Sequence, residues 1–263
     1  MKRFSFSSVA LLSFLILGFP VFSWAETGEL ACEIMSVEGK VELVKDDGTK
    51  TPLKDADVVK EGSVIETGDG STDVSFDKDW NNVVRIEKES KVTVASLWPS
   101  RMELQKGAVF AKLKKLPKDS TFEIQTPTAV ASVRGTEYRA TFINNETQVY
   151  NFSPSQVFVY GVNAQGQKSE ASTVLTQSQK TNISKAGEIP KPPQVMTASE
   201  VQEGESVQSA LTEKVKIIVE SGRTGKIQDV AVLEKSKPSP GGRNPKGESR
   251  VVDSRRRAFK STS

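Results

Sequence analysis

The chain has 263 residues, of which 36% are apolar, and it contains no histidine and only one cysteine. This composition lacks the commonest general base and metal ligand and cannot build a thiolate metal site, which disfavours most catalytic classes. We therefore expect a non-enzymatic protein without a cofactor or metal. The formal net charge of +3 combines +2 over residues 1–25, −6 over residues 26–234 and +7 over residues 235–263, so an acidic body precedes a basic tail.

The amino terminus has the pattern of a secretory signal. Lys2-Arg3 precedes the apolar run Val9–Phe22, and Ser23-Trp24-Ala25 supplies small residues where a signal peptidase cuts. This predicts a cleaved signal peptide over residues 1–25 and a periplasmic or secreted protein. The alternative is an uncleaved membrane anchor, because the segment Phe4–Ala25 approaches the length that spans a bilayer.

Cys32 is the single cysteine of an exported chain. In an oxidising compartment it is either buried, paired with another chain, or reactive, since it has no partner for an intrachain disulfide. We expect it to be buried, as free cysteines usually are.

Residues 33–184 are a succession of short alternating or β-branched runs separated by turn residues, with no pattern of a long helix. Strands at intervals of about ten residues indicate an all-β sandwich, barrel or short solenoid. The predicted strands are Val41–Val44, Val64–Glu66, Val74–Phe76, Val83–Ile86, Val92–Leu97, Val109–Leu113, Phe122–Thr126, Ala129–Val133, Thr136–Phe142, Gln148–Tyr150 and Val157–Tyr160.

The loop between two of these strands contains Asp77-x-Asp79-x-Asn81, which partly matches the start of a calcium-binding loop. Asn82 replaces the glycine and Lys88 the glutamate that such a loop requires. We therefore expect a polar turn at the tip of a hairpin.

The segment TPTAVASVRGTEY, from Thr126 to Tyr138, describes a specific piece of β-structure. Alternate positions from Phe122 form a half-buried strand, which Pro127 interrupts because it cannot donate to a ladder. Up to Val133 the residues expected to face the core occupy odd-numbered positions, and after Gly135 they occupy even-numbered positions. Such a change across one glycine predicts a β-bulge at Gly135.

The pattern Thr126-Pro127, then Val133-Arg134-Gly135-Thr136-x-Tyr138, resembles the FecR domain of bacterial envelope proteins. Two turns depart from the family pattern, at Lys78–Asn82 and at Phe152–Pro154. The resemblance implies a FecR-like β-sandwich or short β-solenoid over residues 26–188. Its upstream part covers Val37–Val41, Leu53–Gly62, Ile65–Ser71, Val84–Ile86, Ser90–Val94 and Leu104–Val109.

Regulators of this family are membrane-spanning anti-sigma proteins, whose cytoplasmic segment holds a sigma factor while the periplasmic domain contacts an outer-membrane receptor. Here only Met1–Arg3 could lie inside the cell. The resemblance therefore implies the receptor-contacting half, an exported non-enzymatic module that senses or binds an envelope component. Two alternatives remain open: a membrane-anchored transmembrane signalling regulator, and a β-fold carbohydrate-active enzyme.

Three side chains of the β-region are candidates for function. We expect Arg134 to be structural, donating to strand carbonyls or pairing with Glu123 or Glu137. Trp80 and Trp98 lie near loop tips, where exposed aromatic side chains often anchor a partner. Trp98 could equally cover the end of the core.

The carboxyl-terminal third is predicted as a linker region over residues 189–234 and a disordered tail over residues 235–263. The capping-box pattern Thr197-Ala198-Ser199-Glu200 starts a helix to about Leu211, followed by a hairpin whose first arm contains residues 215–219 and whose second contains residues 227–232. The tail contains Arg255-Arg256-Arg257, which could engage an anionic envelope polymer. Export disfavours nucleic acid as a partner, and membrane contact is expected only through an uncleaved signal sequence.

Overall fold

The computed structural model describes residues 31–114 and 116–227, which fold into two β-sheets and one helix. The predicted signal peptide and the predicted basic tail, including Arg255, Arg256 and Arg257, lie outside the described residues. The elements are β1 Ala31–Glu38, β2 Val41–Val44, β3 Lys50–Pro52, β4 Val58–Lys60, β5 Val64–Thr67, β6 Ser71–Ser75, β7 Asn82–Ile86, β8 Lys91–Leu97, β9 Ser100–Leu113, β10 Phe122–Gln125, β11 Ala129–Val133, β12 Glu137–Ile143, β13 Glu146–Asn151, β14 Val157–Val162, β15 Lys168–Leu175, β16 Gln179–Ile183, β17 Gln194–Val195 and α1 Ala198–Glu220.

The long strand β9 belongs to both sheets. Sheet A has the order β4, β1, β6, β7, β9, β12, β13, β16, β17, and sheet B the order β3, β2, β5, β8, β9, β10, β11, β14, β15. Neighbours are antiparallel except β9 and β10, which are parallel. β9 passes between the sheets at Gly107, whose φ is +93° and whose added Cβ would lie 2.6 Å from the Ser90 Cα, so this position requires glycine.

The main core lies between the two sheets, which defines a β-sandwich. Ile34 and Val84 of sheet A and Ile65 and Met102 of sheet B are fully buried in one continuous apolar cluster. Alternate residues of each strand point into this cluster because successive side chains of a strand face opposite sides. The predicted all-β class is confirmed, and of the two architectures expected from the sequence the sandwich is the one observed.

Helix α1 packs on the outer face of sheet A and forms a third layer. The predicted capping box is present: the Glu200 backbone N–H donates to the Thr197 hydroxyl, and the Glu200 carboxylate accepts from the Thr197 backbone. Leu211 is fully buried against Met35 and Phe110 of the sheet, in a second apolar cluster separate from the main core.

The predicted hairpin after the helix is wrong in its first arm, because residues 215–219 continue α1 to Glu220. Val215 and Ile218 pack on the second apolar cluster, so their helical spacing matches the sheet surface better than a strand would. The second arm lies mostly outside the described residues. The described part of the predicted linker region packs against the sandwich, since β17 pairs with β16.

Cys32 is fully buried in the main core, as expected. Burial raises the pKa of its thiol to about 12, so the thiol stays protonated and unreactive at neutral pH. Among the described residues, no helix has the length and apolar character needed to cross a bilayer.

Candidate interaction surface

The Thr-Pro element of the motif closes the hairpin between β10 and β11. The Thr126 hydroxyl accepts the Ala129 backbone N–H at 3.0 Å and lies 2.6 Å from the Thr147 hydroxyl of sheet A. Pro127 is exposed in the turn, where the ladder requires no donor. The hairpin therefore fixes where β11 starts and which of its residues face outward.

The parity change at Gly135 comes from a crossing between sheets, so the predicted bulge is wrong. β11 ends at Val133 in sheet B, and β12 begins at Glu137 in sheet A. Gly135 has φ +136° in this crossing, a backbone conformation that glycine adopts with least strain. The two strands point their apolar residues into the same core from opposite sides, which changes the inward parity.

Beyond the crossing, Thr136 and Tyr138 anchor the start of β12. The Thr136 carbonyl accepts the Leu113 backbone N–H at 3.0 Å, which ties the crossing to β9. Tyr138 is fully buried in the main core, and burial raises the pKa of its phenol well above the usual value. These two motif residues are therefore structural, which leaves Arg134 as the exposed charged side chain of the motif.

Arg134 is exposed, and the structural pairing predicted for it is wrong. Glu123 pairs instead with Lys168 at 2.7 Å and Arg101 at 3.4 Å. Glu137 lies across the crossing in sheet A, where it accepts from Gln208 of α1. Within residues 31–114 and 116–227, no other group forms an ion pair or hydrogen bond with the Arg134 guanidinium.

The guanidinium of Arg134 borders a groove on the outer face of sheet B. The groove has a volume of about 690 Å³. Phe158, with 36% of its surface exposed, stands opposite Ser132 in the β11–β14 ladder, and the short serine leaves space beside the ring. The lining residues are Thr121, Ser132, Val133, Arg134, Gly135, Ser155, Gln156, Phe158 and Tyr160.

Phe158 and this groove were missed by the sequence analysis. Val157–Tyr160 was predicted as a strand, and the alternation of Val157, Phe158 and Val159 could not show which face lay outside. The sequence does place Gln156, Phe158 and Tyr160 at alternate positions, so they share one face of their strand. That this face is also the face of Ser132 and Arg134 follows only from the register between β11 and β14.

Trp80 does not contact a partner, because it is buried with 3% of its surface exposed. Its indole N–H donates to the Arg223 carbonyl at 3.1 Å, and the Arg223 guanidinium lies 5.1 Å from the ring centroid. The turn at residues 77–82 therefore holds the segment that follows α1. Trp98 is half-buried in the turn between β8 and β9. This exposure lies between that expected for a partner contact and that expected for a side chain covering the end of the core.

The partial calcium-loop pattern forms a turn. The Asp77 carboxylate accepts the backbone N–H groups of Asp79 and Asn81, both at 3.0 Å, and that of Asn82 at 2.6 Å. These bonds organise the tip of the β6–β7 hairpin. No group of three His, Cys, Asp or Glu residues able to hold a metal occurs in the part of the chain that the structure describes.

The face of sheet A beneath α1 contains buried charged groups that pair with the helix. Asp73 accepts from Arg85 at 2.7 Å and from Lys214 of α1 at 3.0 Å. Arg139 bridges Glu87 at 2.6 Å and Glu203 of α1 at 2.9 Å. α1 pairs with these groups, and two cavities that remain beside the helix, of about 270 and 360 Å³, are smaller than the groove on sheet B. We therefore take the groove as the candidate site.

The family model for FecR protein matches residues 63–152. These residues contain a FecR domain match. The match runs from β5 through β13 and so includes the shared strand β9, the hairpin β10–β11 and the crossing at Gly135. The resemblance stated from the sequence motif is confirmed over this segment, and β14, which contributes Phe158, lies beyond it.

Two solved structures of a candidate anti-sigma factor from Parabacteroides distasonis ATCC 8503 are similar to this chain. One shares 13% identity, with a TM-score of 0.42, over 53% of this chain and 62% of that chain. The other shares 15% identity, with a TM-score of 0.33, over 54% and 59%. The matches span less than two thirds of those chains. No curated protein sequence matches this chain.

Proposed function

We propose that this protein is an exported, non-enzymatic interaction or sensing module of the bacterial cell envelope, similar to the periplasmic part of FecR-type regulators. The observation that carries the proposal is the FecR match over residues 63–152. The matched strands contribute Arg134 and Ser132 to an open groove on sheet B. The groove is lined by the exposed side chains of Arg134 and Phe158. Among the described residues it contains no histidine and no cluster able to bind a metal.

A rigid sheet suits such a role. β10, β11 and β14 hold Ser132 and Phe158 at fixed positions, so little side-chain and backbone freedom is lost when a partner binds. Exposed aromatic and arginine side chains contribute most of the binding energy in many interfaces. Arg134 and Phe158 are therefore the residues that we expect to contact the envelope partner.

Export is tested by recovering the protein from fractionated cells and determining its amino terminus by mass spectrometry. We expect the protein in the envelope or periplasmic fraction, beginning at Glu26. A chain in that fraction that keeps residues 1–25 supports the membrane-anchored regulator instead. Recovery from the cytoplasm alone contradicts both forms of the proposal.

Partner contact is tested by placing a photo-crosslinking amino acid at Gln156, an exposed residue of the groove. The matched control places it at Lys216, which is exposed on α1 beyond sheet A. We expect envelope adducts from position 156 and far fewer from position 216. Equal labelling from both positions would remove the groove from the proposed function.

A further inference from the structure

Three cations lie near the groove on the outer face of sheet B, and they differ in whether a carboxylate pairs with them. Arg101 and Lys168 share the single carboxylate of Glu123, and Arg134 adds a third cation. The Arg101 Nε is buried and makes no hydrogen bond with the described residues, although it lies 3.4 Å from that carboxylate. Of these three cations, Arg134 alone has no partner among the described residues, and an unpaired cation beside a groove favours an anionic ligand.

The strands beneath the groove exclude one common mode of peptide binding. β11 pairs with β10 on one side and with β14 on the other, and β14 also pairs with β15. Their backbone groups are therefore occupied, and an extended peptide cannot add as a further strand. A ligand of this surface must therefore be recognised by the side chains and the loop residues that line the groove.

The side chains of the groove are one cation, two aromatic rings and several short polar groups. The Lys168 ammonium lies 5.4 Å from the Tyr160 ring centroid, so this ring is partly covered, whereas Phe158 offers an open apolar face. Ser132, Ser155 and Gln156 offer hydroxyl and amide groups. A volume of about 690 Å³ is in the range of small-molecule sites and accommodates a short oligosaccharide.

We propose that this groove binds a carboxylate-bearing sugar of an envelope glycan, an inference that rests on the proposed function and names its ligand class. The Arg134 guanidinium pairs with the sugar carboxylate through two N–H groups. Phe158 packs against the C–H face of the sugar ring, and Ser132 and Gln156 bond its hydroxyls. The acidic body, with a net charge of −6 over residues 26–234, favours a short acidic oligosaccharide over a long polyanion.

The test compares two probes that differ only in charge. Trigalacturonate and its methyl ester are titrated calorimetrically into the full exported chain. We expect trigalacturonate to bind at least about tenfold more tightly than the ester, because the ester cannot accept a charge-assisted bidentate bond. Arg134→Ala should weaken trigalacturonate binding by about tenfold or more.

Two further variants separate charge from geometry. Lys216→Ala removes the same charge from the far layer of the molecule and should leave binding unchanged. Arg134→Lys keeps the charge but loses the planar fork, so it should bind less tightly than the parent and more tightly than Arg134→Ala. Arg134 is exposed and unpaired with described residues, so all of these variants should fold.

Three outcomes would overturn the acidic-sugar assignment: no binding of trigalacturonate, equal binding of acid and ester, or unchanged binding by Arg134→Ala. Tighter binding of a tetraglutamate peptide than of trigalacturonate would assign the surface to an acidic protein segment instead. Envelope adducts from Gln156 would still support the proposed function in these cases, so the two failures are distinguishable.

Discussion

At the scale of single residues, neighbours in the motif have opposite roles. Arg134 points its charge into solvent, whereas Tyr138, four residues later, is fully buried. Gly135 between them allows the chain to leave one sheet and enter the other. The motif therefore combines a structural crossing with one exposed side chain, and substitutions within it should separate stability from binding.

The backbone of Gly135 gives the first prediction. Gly135→Ala should lower the free energy of unfolding by about 1 to 3 kcal/mol, because φ +136° is strained for any residue with a Cβ. Among the described residues other than its chain neighbours, the one atom within 4 Å of an added Cβ is the Leu113 carbonyl oxygen at 3.6 Å, so the cost is conformational rather than steric. Urea denaturation measures it.

Gly68→Ala is the control for this substitution. Its added Cβ also meets ordinary contacts at 3.6 Å, but Gly68 does not have a positive φ. The free energy of unfolding of this variant should be close to that of the parent protein. Equal unfolding free energies for Gly135→Ala and Gly68→Ala would show that the crossing does not require glycine.

Trp80 gives the second prediction. Trp80→Phe keeps an aromatic ring but removes the N–H that bonds to the Arg223 carbonyl, and it should cost about 1 to 2 kcal/mol. Hydrogen exchange should speed up in the segment after α1 more than in the sandwich. Trp98→Phe, at a half-buried residue without a described hydrogen bond, should cost less. A larger loss at Trp98 than at Trp80 would contradict the assigned roles.

At the scale of elements, α1 is held to sheet A by a small apolar cluster and by matched polar groups. Gln208 bonds to Glu137, Thr212 to Lys112, and Lys214 to Asp73, so polar contacts recur along the helix. α1 supplies one of the two cations that pair with Asp73, whose surface is 1% exposed with the helix in place. The helix is thus part of the folded domain.

Gly204 gives the third prediction, since α1 lies directly against the Phe152 ring there. A Cβ added at Gly204 would lie 2.0 Å from a ring carbon of Phe152. Gly204→Ala should therefore weaken helix docking, despite a gain of about 1 kcal/mol in helix propensity. Hydrogen exchange should increase throughout α1 while the amides of β9 remain protected.

A second variant identifies the cause of that weakening. Combining Gly204→Ala with Phe152→Leu removes the ring that the new methyl meets and should recover part of the lost protection. Ser209→Ala, at an exposed helix position, should leave docking intact. Slower exchange in Gly204→Ala than in the parent would mean that the ring moves aside freely.

At the scale of the whole molecule, stability should depend on pH through the charges between α1 and sheet A. Burial alone would raise the pKa of Asp73, but the hydrogen bond and charge of Arg85 and the charge of Lys214 outweigh it, so the pKa is lowered. A hydrogen bond from Lys214 likewise lowers the pKa of Glu38. Both carboxylates are therefore more easily ionised when the protein is folded.

The fourth prediction follows from the sign of these shifts. A carboxylate whose pKa is lower in the folded than in the unfolded protein stabilises the fold at pH values above its unfolded pKa of about 4. This stability is lost as the pH falls through the folded pKa. The urea midpoint should change little between pH 7 and 5 and decrease below pH 4. Asp73→Asn should have a lower midpoint at pH 7 and a smaller decrease in acid.

Asp79→Asn is the control, because it removes an exposed carboxylate from the β6–β7 turn without touching the interface. Its midpoint should follow the parent at each pH. An acid decrease of equal size in the parent and in Asp73→Asn would show that charges elsewhere determine the acid sensitivity.

Local pattern was enough to predict much of the fold. Alternation of apolar residues indicated β2 and β5 to β14, although it did not indicate β1, β3, β4, β15, β16 or β17. Pro127 indicated the end of β10, and Thr197 with Glu200 the start of α1, because each depends on neighbours within a few residues. The motif around Gly135 also identified the family whose model matches residues 63–152.

Only the tertiary structure decided the rest, because the deciding partners are distant in sequence. Trp80 is buried since Arg223 and α1 cover it, and residues 215–219 are helical since sheet A offers a surface for them. Arg134 pairs with neither Glu123 nor Glu137, since Lys168 and Arg101 pair with Glu123 and α1 engages Glu137. These ion pairs join residues that are far apart in sequence, and Arg134 beside Phe158 is not part of them. No local sequence pattern could therefore predict which carboxylates Arg134 would lack as partners.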